Sequence, residues 1–76
     1  SLLNHRFNLA MAEYFASRLE GESADLAGQV IAGFRLATGR QPTASEQMQL
    51  VAYAREHGLA NFCRLLFNLS EFIFLD

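Results

Sequence analysis

Residues 39–46 read Gly39-Arg40-Gln41-Pro42-Thr43-Ala44-Ser45-Glu46, and this stretch decides the fold. Gly39 ends the segment before it, because glycine takes the left-handed conformation after a helix without a side-chain clash. Pro42 disfavours helix at Gln41. Thr43 and Glu46 have capping-box spacing: the Thr43 hydroxyl bonds the amide of Glu46, and the Glu46 carboxylate reaches back to Thr43. A helix therefore stops, a short loop turns, and a new helix starts.

Helical periodicity extends outward on both sides. Upstream, Leu26, Val30, Ile31, Phe34 and Ala37 form one apolar face, with Ser23 as the expected cap and Asp25 in the first turn. Gly28 and Gly33 lie inside this helix and weaken it by roughly 1 kcal/mol each relative to Ala. They read as room for a close helix crossing. Before that, Leu3, Phe7, Met11, Phe15 and Leu19 recur every four residues, widened by Ala10 and Tyr14. Asn4 or His5 is the expected cap and Gly21 the expected end. Downstream of the loop, Met48, Val51, Ala52 and Arg55 share one side, with Leu50, Tyr53 and Ala54 nearby, and His57 and Gly58 close the helix. A fourth helix is expected from Leu59 to Asn68 on the stripe Leu59, Phe62, Cys63, Leu66 and Leu69, broadened by Leu65 and Phe67. The pattern breaks near Ser70.

Four amphipathic helices with short connections imply an all-α fold: a compact four-helix bundle with short loops and an irregular C-terminal tail, forming one domain over residues 1–76. A chain of 76 residues buries only about 60% of the surface its unfolded form exposes, enough for a single core. Hydrophobic residues are 51% of the sequence, which argues against disorder. Phe7, Phe15, Phe34, Phe62, Met11 and Met48 are assigned to filling that core.

Composition narrows the chemistry. One cysteine excludes an internal disulfide framework and a Cys-rich zinc site. His5 and His57 are the only histidines and show no metal-ligand spacing. Cys63 is expected in the core, where a thiol behaves as an inert hydrophobe, so a Cys63/His57 dyad is disfavoured. No catalytic, cofactor-binding or metal-binding residue is assigned, and no cofactor is expected. The net charge of −2, from six Arg, no Lys and eight acids, argues against nucleic-acid binding through bulk positive charge. A helix-turn-helix from the second and third helices fits the spacing, but no cation lies between Arg40 and Arg55 to hold phosphates. No apolar run approaches the roughly 20 residues of a membrane span.

Two features go beyond the core. Arg40, in a tight loop, is expected to lock that loop through Glu46 or Glu71; binding an anionic ligand is the alternative. Phe72-Ile73-Phe74-Leu75 is a run of four large apolar residues just before Asp76. Such a run is an aggregation hazard when exposed. Phe72, Ile73, Phe74 and Leu75 are therefore expected to form a partly exposed patch that marks an interface.

Three separated motifs resemble a known family. They are Leu2-Leu3-Asn4 followed by Phe7; Phe34-Arg35-Leu36-Ala37-Thr38-Gly39-Arg40-Gln41-Pro42-Thr43 with Glu46; and Leu65-Leu66-Phe67-Asn68-Leu69-Ser70-Glu71-Phe72. In this order they resemble the closing segment of a planctomycete-type bacterial domain, domain of unknown function 1553. The likeness spans nearly the whole chain. His5-Arg6 stands where the family has Asp-Pro, Thr38 where it has Leu, and Phe67-Asn68-Leu69-Ser70 where it has Leu-Asn-Ser-Asn. The resemblance implies an exported protein and a C-terminal module of a longer chain whose upstream part often carries cytochrome-c-like segments. It carries no catalytic residue onto these positions.

The function expected from these readings is a non-catalytic structural or interaction module. It docks on the upstream domains of its parent protein through the C-terminal apolar patch, with self-association through the same patch as a corollary. The competing reading is one wall of an enzyme or cofactor site completed by upstream sequence. Convergence of Arg35, Arg40 and Glu71 on an open pocket would favour that alternative.

Overall fold

The structure, a computed structural model, describes residues 2–69, with side chains described from Leu9 onward. Its elements are α1 (Leu2–Glu22), α2 (Leu26–Thr38), α3 (Ala44–His57) and α4 (Leu59–Phe67), with no strand among the described residues. The fold is an all-α four-helix bundle. At ~1.5 Å per residue, α1 is roughly 31 Å long. It runs most of the longest dimension of a body measuring 34 × 22 × 20 Å.

The core is built from Ala12, Ala16 and Leu19 of α1, Val30, Phe34 and Ala37 of α2, Ala54 of α3, and Phe62, Cys63 and Leu66 of α4. Phe62, Leu19, Leu66, Val30 and Cys63 are wholly enclosed. Burying each of the larger apolar groups contributes roughly 1.5–3 kcal/mol. Gly33 lies where α1 and α4 converge on α2. A Cβ there would come 2.8 Å from Leu19 Cδ1, 3.1 Å from Phe62 Cε2 and 3.3 Å from Leu66 Cδ1. The close crossing read from the sequence is therefore real at Gly33. Gly28 has another reason: a Cβ at that position would collide with Ser23 Oγ and Asp25 Oδ1, which form the cap of its own helix.

Leu19 meets Phe62 and Leu66 around Gly33, while Phe15 stacks on Phe67 with ring centroids 6.1 Å apart. Higher positions on α4 thus lie beside lower positions on α1, and the two helices run antiparallel.

Several expectations need correction. Met11 and Met48 do not fill the core; they are 39% and 74% exposed. For Met11 the reason is geometric. A strict spacing of four residues overshoots one helical turn by about 40° per step. From position 3 to position 19 the stripe therefore rotates by roughly 160°, so Leu19 and Phe15 face the bundle while Met11 slides to its flank. The buried stripe of α1 is Ala12, Phe15, Ala16 and Leu19, with Phe15 half-buried. On α3 the inward residues are Leu50, Val51, Tyr53 and Ala54; Met48, Ala52 and Arg55 face solvent. Gln47 begins that inward stripe and hid it, being polar.

Helix ends also shift. α1 already includes Asn4 and His5, and it passes through Gly21 to Glu22. Without a proline at position 6, nothing in the sequence fixes a later start. The cap of α2 is Asp25, whose Oδ1 accepts from the Gly28 amide at 2.9 Å, while Ser23 Oγ donates to the same carboxylate at 3.2 Å. A carboxylate there also suits the positive end of the helix dipole. The ends at Gly39 (φ 78°) and Gly58 (φ 92°) stand where they were read. Asn68 is the cap after α4 rather than its last residue.

Candidate functional site

The best-defined polar cluster is the α2–α3 loop, and it is built outward from Thr43. The Thr43 hydroxyl accepts from the Glu46 amide at 3.1 Å, and Glu46 Oε1 accepts from the Thr43 amide at 2.8 Å. The capping box is therefore complete. The same carboxylate receives both terminal nitrogens of Arg40, Nη1 and Nη2, each at 2.9 Å. Arg40 Nη1 also donates to the Gln41 carbonyl at 3.1 Å, and the guanidinium lies 4.8 Å from the centroid of the Phe34 ring. The Arg40 hydrogen bond, then the Thr43 amide, hold the Glu46 carboxyl at about 2, below the ordinary 4.5.

Arg40 thus ties the loop to the cap of α3 and covers a core phenylalanine. The loop lock through Glu46 is formed. Glu71, the other acid considered, lies outside the described residues, as do Phe72, Ile73, Phe74 and Leu75. Thr38 contributes something the sequence reading passed over. Its hydroxyl donates to the Phe34 carbonyl at 2.8 Å and accepts from the Arg40 amide at 3.3 Å. A threonine one residue before a helix-ending glycine was the available signal, since its hydroxyl bonds back to the preceding turn.

Beside this loop is an open groove of about 420 Å³ lined by Glu22, Ala32, Arg35, Leu36, Gly39, Arg40 and Gln41. Arg35 and Arg40 both reach it. Arg40 is largely engaged with Glu46 and Gln41, whereas Arg35 and Glu22 form no ion pair among the described residues.

Cys63 and His57 are not assembled into a reactive pair. Cys63 is enclosed in the core, and burial pushes its thiol up to about 12. His57 sits at the exposed end of α3, its ring tilted against Tyr53 at 4.5 Å, and no hydrogen bond joins it to Cys63. Among the described residues no three His, Cys, Asp or Glu side chains gather as a metal would need. The start of α3, which would read DNA in a helix-turn-helix, is spent internally: Glu46 on its cap and Arg40, and Gln49 on Ser45 Oγ at 3.1 Å.

Among the described residues the geometry defines a small all-α bundle with a hydrogen-bonded α2–α3 loop and an open groove beside it. No family model matches this chain, and neither a curated protein nor a solved structure matches it. No described helix is long and apolar enough to cross a membrane.

Proposed function

We propose that this chain is a non-catalytic interaction module that docks on the upstream part of a longer protein through Phe72–Leu75 and the helix faces beside them. The observation that carries this reading is the antiparallel course of α4 along α1. It seats Phe67 on Phe15, and nearer the start of α1 Leu9 and Met11 are 43% and 39% exposed. Phe72–Leu75 follow α4 in sequence, and Leu9 and Met11 are apolar side chains of α1 that α2, α3 and α4 leave partly open. A run of four large apolar residues such as Phe72–Leu75 suits an interface. The resemblance to the planctomycete-type domain supports the same reading and adds an exported bacterial parent in which this is the closing module.

The groove at Arg35 supports a second reading, a wall of a ligand site completed by upstream sequence. A pull-down separates the two. The segment preceding residue 1 in the parent protein, expressed separately, is expected to capture this chain and to lose it on Phe72→Asp with Phe74→Asp. Capture that survives those changes and is lost on Arg35→Ala refutes the apolar docking reading.

A further inference from the structure

The groove beside the α2–α3 loop has an acid toward one end, arginine toward the other and apolar side chains between. Ala32 and Leu36, one turn apart on α2 and half-buried against the core, form its apolar lining. Glu22, the last residue of α1, belongs to the Ala32 end. Gln29 Nε2 donates to the Ser23 carbonyl at 3.0 Å, which pins the end of α1 beside the early turns of α2. The opposite end is formed by Gly39, Gln41 and Arg40, the last held by Glu46 and the Gln41 carbonyl. Helical rise separates Ala32 from Gly39 by roughly 10 Å. Arg35 also lines the groove, from the last turn of α2.

Glu22 and Arg35 come from different helices and line the same groove without pairing with each other or with another described residue. Both charges are therefore open to a third molecule. An anion alone would pair with Arg35 and be repelled by Glu22, and a cation alone the reverse. A molecule with an amine at one end and a carboxylate at the other satisfies both. An extended peptide spans about 3.3–3.6 Å per residue, so three residues match the length of the groove. The Gln41 amide offers both a donor and an acceptor to a peptide bond, and Ala32 with Leu36 suits a small apolar side chain.

We propose that this groove binds a short zwitterionic peptide of about three residues, its amine toward Glu22 and its carboxylate toward Arg35. The guanidinium can take that carboxylate in a two-bond fork. The proposal does not rest on the docking reading, which uses the end of the sequence, and its failure leaves that reading standing. The groove is open to water, so the ion pairs are screened and the dissociation constant is expected on the order of 1 mM.

Titration of the ¹⁵N-labelled whole chain with trialanine, to about 20 mM at pH 7, is the test. Amide shifts are expected at Ala32, Arg35, Leu36, Gly39 and Gln41, and they should saturate. N-acetyl-trialanine lacks the amine and trialanine amide lacks the carboxylate; each should bind about fivefold more weakly. Glu22→Gln and Arg35→Gln should each weaken trialanine by a similar factor with helicity unchanged, because both side chains are exposed. Absence of shifts at 20 mM overturns the proposal. So do equal affinities for the three peptides, shifts reproduced by sodium acetate at the same concentration, or binding that survives both substitutions.

Discussion

Replacing Gly33 by alanine sets two effects of opposite sign against each other. Alanine is the better helix former by about 1 kcal/mol, so propensity alone favours the change. The new methyl would sit 2.8 Å from Leu19 Cδ1 and 3.1 Å from Phe62 Cε2. Leu19, Phe62 and Leu66 are all fully enclosed, so none has free space to retreat into. Forcing an extra carbon into such a core costs about 1–3 kcal/mol. The clash wins, with an expected net loss of about 1 kcal/mol, or about 4–8 °C in Tm for a domain of this size. Gly21→Ala is the internal control. Nothing lies within 4 Å of a Cβ there and the backbone φ is not positive, so only propensity and chain entropy act. It is expected to raise Tm by about 2–4 °C. Thermal unfolding by circular dichroism reads both. If Gly33→Ala raises Tm as Gly21→Ala does, the crossing of α1, α2 and α4 is wrong.

Three further outcomes follow from the geometry. Gly58 has φ 92° and ψ 157°, a region essentially open to glycine alone, so Gly58→Ala should lower stability by about 1–3 kcal/mol in denaturant unfolding although its side has open space. Glu46 has a folded pKa below its unfolded value. Its contribution is therefore complete above about pH 4.5 and lost as pH falls toward about 2; the carboxyl shift in NMR should titrate near 2, and return toward 4.5 in Arg40→Ala, which should also unfold at lower temperature. Cys63, raised to about 12, should resist a thiol reagent at pH 8 in the folded chain and react at once in denaturant; rapid native labelling would contradict its burial.

The sequence showed most clearly what local chemistry dictates. The capping box at Thr43, the ends at Gly39 and Gly58, and the inward face of α4 all depend on a few neighbouring residues, and all are found where they were read. The Arg40–Glu46 pair was legible because the loop holds both within six positions. Which way α1 faces was not legible. Its apolar residues go round the helix, and only the placement of α2 and α4 chooses Ala12 and Ala16 over Met11 and Tyr14. Small residues win at those positions because helices approach closely there, which composition alone does not reveal. Likewise Asp25 displaced Ser23 as a cap, since both suit the role and the Gly28 amide selects between them. The groove joining Glu22 to Arg35 brings together positions from two helices, a proximity that no spacing rule encodes.

The central proposal is that Phe72–Leu75 with neighbouring helix faces, and not the charged groove, would meet another part of a longer protein. An NMR titration of the ¹⁵N-labelled chain with the separately expressed upstream segment tests it most directly. The account expects amide shifts to concentrate at Leu9–Phe15 and from Leu69 onward, with Arg35, Gly39 and Gln41 still. Shifts centred on Arg35, Gly39 and Gln41, with residues 9–15 unmoved, would contradict it.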